Sequence, residues 1–120
     1  MPTQQEILRD RSKKFAILAI RLFKALPKSD EARILGKQLL RSATSVAANY
    51  RAAGRSRSRA EFISKMGTVV EEADESVFWL ELLIEGELIE KHKIEPLLRE
   101  ANELLAIFAA SQRTAKANKS

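Results

Sequence analysis

At 120 residues and 13.5 kDa, the chain is long enough for one small domain and too short for two. Its 45% hydrophobic and 31% charged residues can build a core and a soluble surface, which argues against disorder, and the absence of cysteine excludes disulfides, thiolate metal sites and thiol nucleophiles. The net charge of +5 is split along the chain: residues 1–59 hold 14 Lys/Arg against 4 Asp/Glu, residues 60–90 hold 1 against 9, and residues 91–120 hold 6 against 3.

No apolar run approaches the roughly 20 residues needed to cross a bilayer, and no signal-peptide core is present at the N-terminus. The expectation is a cytoplasmic protein without membrane attachment, whose mature chain is the whole chain and whose single domain spans residues 1–120.

Apolar residues recur at spacings of three and four, while Gly and Pro total only 7, so the predicted class is all-α. The first helix is predicted over residues 4–26, opened by Thr3 with Glu6 reaching back in a capping box and stopped by Pro27. Its core face reads Phe15, Leu18, Leu22 and Leu26. The short connection that follows favours an antiparallel second helix, residues 30–53, capped by Ser29 or Asp30. At about 100° per residue, Leu35, Leu39, Ser42, Val46, Asn49 and Ala53 share one narrow face.

Gly54 supplies a stop, and Ser58 with Glu61 forms a second capping box that opens a third helix over 59–85. Within it, Ile63, Met66, Val70, Ala73, Val77, Leu80 and Ile84 alternate spacings of three and four, the pattern of a bundle seam. Gly86 ends that helix. A fourth is predicted over 92–114, with Pro96 in its first turn and a core set of Ile94, Leu97, Leu98, Ala101, Leu104, Leu105 and Phe108. Residues 115–120 are polar and basic and are expected to fray. The predicted architecture is an antiparallel up-down-up-down four-helix bundle.

Catalytic chemistry finds little footing in this pattern. Glu71, Glu72, Asp74 and Glu75 lie together on the third helix, yet a di-metal bundle site needs Glu-x-x-His motifs and the one histidine, His92, stands outside any. A solvated acidic face is the simpler reading. No Ser–His–acid arrangement, Gly-rich phosphate loop or nucleophile elbow is legible. No enzyme, cofactor or metal is expected.

Two surface features carry more. Arg33, Lys37, Arg41 and Arg51 fall within about 80° of arc opposite the core face of the second helix, and Arg55, Arg57 and Arg59 extend the stripe into the following loop. Guanidinium groups bind phosphates bidentately and release condensed counterions, so the stripe suits RNA or DNA; the alternative is a solvated or salt-bridged face. No aromatic residues are interleaved to stack bases, so any such binding should be weakly sequence-specific. Phe78, Trp79 and Leu82 lie off the seam of the third helix and form a candidate oligomer interface. A wide core or the chain termini could cover them instead. Gln38, Ser42, Ser45 and Asn49 make a small polar strip on the second helix, read as structural because no base accompanies it, with the Asn49 amide expected to find buried partners.

Gln38, the run Arg41-Ser42-Ala43-Thr44-Ser45-Val46-Ala47-Ala48-Asn49, Arg57-Ser58 and Glu61-Phe62 resemble the signature of the four-helix bundle proteins also called 23S ribosomal RNA intervening-sequence proteins. The resemblance covers nearly the whole chain. It implies the same bundle, assembly into a homopentamer, no catalytic residues, and a nucleic-acid role shared with the related accessory protein of diversity-generating retroelements. Many members carry a Glu-Gly pair three and four residues after the Asn; here Ala52-Ala53 stand there and Gly54 follows, so the second turn is expected to differ. The leading expectation is a non-enzymatic oligomeric bundle that binds RNA or DNA. The alternative is a scaffold that binds another protein, with its charged faces used for self-assembly.

Overall fold

The computed structural model describes residues 1–118. Four helices follow one another, α1 (Gln4–Ala25), α2 (Asp30–Ala53), α3 (Arg59–Glu85) and α4 (Lys91–Ala117), and no strand occurs among the described residues. They form an antiparallel up-down-up-down bundle in which α1 packs on α2, α2 on α3 and α3 on α4. The body is elongated, 51 × 27 × 19 Å. The closing contact between α1 and α4 is the slightest, and Arg11 reinforces it: its Nε and Nη2 donate to the two Glu100 carboxylate oxygens at 3.1 and 2.6 Å, and Nη2 also lies 3.1 Å from Glu103. Those hydrogen-bonded carboxylates raise the Arg11 pKa against the opposing effect of burial.

Local chemistry sets the helix ends. The Thr3 hydroxyl accepts from the Glu6 N–H at 3.1 Å, and the Thr3 N–H donates to Glu6 Oε1 at 3.1 Å, closing the predicted box and holding the Glu6 carboxyl below its ordinary range. Ser29 caps α2 by accepting from Ala32 N–H. At α3 only half of the predicted box exists: Ser58 Oγ accepts from Glu61 N–H at 3.1 Å, but Glu61 turns its carboxylate towards Arg57, 3.9 Å away, instead of back to the cap.

The end of α3 is a Schellman turn with its left-handed position one residue later than the glycine. Leu88 N–H bonds to Leu83 O and Glu87 N–H to Ile84 O, both at 3.0 Å, and Glu87 takes φ 58°. Gly86 has an ordinary φ of −79°; its hydrogen is required because a Cβ there would lie 2.8 Å from the Leu82 carbonyl oxygen.

Two expectations about α4 are corrected. Helix continues through 115–117, where fraying was expected, because Ala115 and Ala117 are strong helix formers and half-buried Ala115 shares a groove wall with Ile107 and Thr114. Residues 119 and 120 of the predicted tail lie outside the described residues. Pro96 sits in the second turn and not the first, since α4 opens at Lys91; without an N–H it cannot bond to the His92 carbonyl.

The core runs the length of the bundle through Phe15, Leu39, Val46, Met66, Leu80, Leu83, Ile94, Leu104 and Phe108, all at most 1% exposed. It is wider than the narrow faces read from the sequence. On α3, Val69, Ser76 and Leu83 are buried, while Ile63, Val70 and Ile84 of the predicted seam are only partly so. On α2, Ala32, Gly36, Ala43 and Tyr50 join the buried set, and Leu35 and Asn49 move to its edge. A helix with neighbours on two sides must bury a broader arc than a coiled-coil stripe provides. Tyr50 reaches across that arc to stack on Phe108, with ring centroids 5.0 Å apart.

Candidate nucleic-acid interface

All seven basic residues of the predicted stripe, Arg33, Lys37, Arg41, Arg51, Arg55, Arg57 and Arg59, are exposed. Helix periodicity places the first four on one side of α2, and the turn after Gly54 carries the remaining three onward. Arg41 lies 4.0 Å from Glu75 of α3 and Arg57 3.9 Å from Glu61. Among the described residues the other five make no ion pair with an acid of the chain. Exposed pairs at such distances contribute little, so the stripe keeps nearly all its charge for an external anion.

One basic residue escaped the sequence reading. Arg9 of α1 meets Arg51 and Arg55 around a recess of ≈ 70 Å³ whose other walls are Gln5, Tyr50 and Gly54. No periodicity within α2 could have included it, because it arrives from another helix. Beside this recess opens a larger groove of ≈ 620 Å³ between the start of α1 and the end of α4, lined by Leu8, Tyr50, Phe62 and Ile107 among others.

The acidic surface is on α3. Glu71, Asp74, Glu75 and Glu81 surround Phe78, which is 49% exposed. Its ring meets Trp79 edge-on at 5.1 Å. The three residues predicted for an interface are not equally available: Trp79 is half-buried against the core and donates its indole N–H to Glu75 Oε1 at 3.3 Å, and Leu82 is also half-buried. Sequence reasoning missed Ile17, Ile20 and Ile34, exposed by 40%, 42% and 63%. The apolar content of α1 and α2 exceeds what their core faces hold, and that excess was the available signal.

The polar strip divides. Ser42 is fully buried and accepts at 2.9 Å from Ser76 of α3, while its own hydroxyl donates to Leu39 O at 3.2 Å. Asn49 was expected to reach buried partners; instead it is half-buried and donates within its own helix, to Ser45 O at 2.9 Å and Ser45 Oγ at 2.8 Å. An i−4 partner is always within reach on a helix, so the Asn49 amide is satisfied without reaching another helix. Gln38 is half-buried. Near Ser76 lies Glu72, whose Oε2 is buried with no hydrogen-bond partner among the described residues. Burial raises its pKa, the charges of Glu75 and Glu71 add to the rise, and Arg41 opposes it.

No group of three His, Asp or Glu side chains among the described residues is arranged to hold a metal ion, and none of the helices is long and apolar enough to cross a membrane. His92 is exposed and sits 3.4 Å from Glu90.

Comparison with known proteins gives the same fold from two directions. A solved protein of unknown function from the S23 ribosomal protein family of Bacteroides thetaiotaomicron VPI-5482 superposes with a TM-score of 0.85 at 33% identity, covering 92% of this chain and 99% of that one. A search of curated proteins found no match. The profile of the 23S rRNA-intervening sequence proteins matches residues 4–110, and with that coverage the chain belongs to the 23S rRNA-intervening sequence protein family.

Proposed function

We propose that this protein is a non-enzymatic, self-associating helical bundle that offers its basic face to RNA or DNA with little sequence specificity. The observation that carries the reading is the exposed stripe of Arg33, Lys37, Arg41, Arg51, Arg55, Arg57 and Arg59, five of whose charges have no acidic partner within the chain among the described residues. Phosphate contacts of this kind supply affinity and steer association without reading bases. Binding of a duplex and of single strands across a salt series tests it. Wild type should lose affinity steeply with salt. Arg33→Glu with Lys37→Glu should weaken all sequences alike and reduce the duplex salt slope by about 0.9 for each phosphate no longer neutralised. Binding that ignores salt, or none at low salt, overturns the reading and leaves the protein-scaffold alternative.

Self-association is supported by the acidic surround of exposed Phe78 on α3 and the basic stripe on α2, which are complementary between two copies. The number five comes from the family resemblance. Phe78 is a better probe than Trp79, whose replacement would also open the core. Phe78→Glu adds a fifth carboxylate to the acidic surround and should lower the mass measured by light scattering while helix content stays the same. A wild-type mass of 13.5 kDa at micromolar concentration rejects self-association.

A further inference from the structure

We propose that the recess between the start of α1 and the end of α2, walled by Gln5, Arg9, Tyr50, Arg51, Gly54 and Arg55, binds a single tetrahedral oxyanion of the phosphate class. As a seat for one phosphate of a nucleic acid it rests on the reading above; as an oxyanion site it stands apart from it.

Size is the first constraint. At ≈ 70 Å³ the recess is far smaller than the ≈ 620 Å³ groove beside it, a size suited to one small ion. Charge is the second. Three arginines from two helices and a turn line the recess, and only Arg9 has an acid near it, Asp10 at 3.8 Å, with both side chains largely in water. Convergence of like charges on a confined volume costs free energy that an anion reverses, and guanidinium donors fit the oxygens of a phosphate.

Tyr50 is the independent observation. Its ring is buried and held by its stack on Phe108, while its hydroxyl reaches solvent and makes no hydrogen bond to another described residue. It lines the recess, and its free O–H is a donor available to an oxyanion bound there. Burial raises its pKa, which keeps that proton in place. At the rim, the flexible Gln5 amide packs against Gly54, where a Cβ would displace it. A purely structural use exists for Arg51 and Arg55, since cations at the C-terminus of α2 complement its dipole. That use involves neither Arg9 nor the Tyr50 hydroxyl.

The test is titration of the full chain with inorganic phosphate at constant ionic strength, followed by calorimetry and by melting temperature, on wild type, Tyr50→Phe, Arg9→Gln and Lys24→Gln. Lys24 lies in the last turn of α1, remote from the recess, and serves as the control for diffuse charge. Wild type should take up one phosphate per chain. Tyr50→Phe keeps the ring and its stack and should weaken uptake by roughly fivefold, Arg9→Gln by roughly tenfold or more, and Lys24→Gln not at all. Wild type that stays folded and takes up no phosphate overturns the proposal, as does a loss shared equally by Lys24→Gln. A 5′-phosphorylated single-stranded oligonucleotide then separates the sources. Competition with phosphate supports the recess as a nucleic-acid contact. Phosphate uptake without competition supports a free-anion site separate from the nucleic-acid contacts of the stripe, whereas phosphate uptake that Tyr50→Phe and Arg9→Gln both leave unchanged overturns the recess.

Discussion

The hydroxyl pair at the centre of the α2–α3 contact makes a measurable demand. Ser42 and Ser76 are both fully buried; Ser76 Oγ donates to Ser42 Oγ at 2.9 Å, and each hydroxyl also lies within reach of a carbonyl of its own helix, Leu39 O at 3.2 Å and Glu72 O at 2.9 Å. Because of those carbonyls, neither single alanine strands a buried donor. Ser42→Ala lets the Ser76 proton turn to Glu72 O, and Ser76→Ala leaves the Ser42 proton on Leu39 O. Each substitution should therefore cost only the net value of one hydrogen bond, about 0.5–1 kcal/mol, and not the larger penalty of an unsatisfied group. In a domain of this size that lowers the melting temperature by roughly 2–6 °C. The double alanine variant loses the same inter-helix bond once, so its cost should be close to either single, giving a coupling of about 0.5–1 kcal/mol. Ser42→Leu forces extra methyl groups between two closely packed helices and should cost about 1–3 kcal/mol by overpacking alone. Urea denaturation followed by far-UV circular dichroism, at one fixed protein concentration because self-association shifts apparent stability, measures all four variants. Strictly additive alanine costs would show that the two hydroxyls do not meet, and a leucine variant as stable as wild type would show that the helices do not close here.

Glu72→Gln should melt above wild type at pH 7. The folded state holds the Glu72 proton more tightly than the unfolded chain does, so stability falls as pH rises from the ordinary glutamate value of 4.5 to the raised one, and ionised Glu72 is a liability above it. The advantage of the variant should shrink as pH drops through that window, and a gap independent of pH refutes the assignment. Glu87→Gly should stabilise the bundle by about 0.5–1 kcal/mol, because φ 58° is strained for glutamate and easy for glycine; thermal melts that show no gain would place the strain elsewhere.

Periodicity and capping chemistry, both local, are why the four helices, the Thr3–Glu6 box, the Ser29 and Ser58 caps and the exposed basic stripe on α2 could be read from residue order alone. A side chain's angular position on its helix follows from its number, so Arg33, Lys37, Arg41 and Arg51 had to share a side wherever α2 was placed. What the helix opposite contributes does not follow. The sequence singled out Ser42 without its partner Ser76, gave Asn49 a deep role that its local bond to Ser45 makes unnecessary, and treated Phe78, Trp79 and Leu82 as one patch although packing buries much of two of them. Tyr50 passed unnoticed as a core residue because its burial depends on Phe108 arriving from α4. Arg9 joined Arg51 and Arg55 only when α1 packed beside α2. Local order fixes directions around each helix axis, but the register and rotation with which helices pack are set by how side chains from distant segments interlock, and only the tertiary structure decides those.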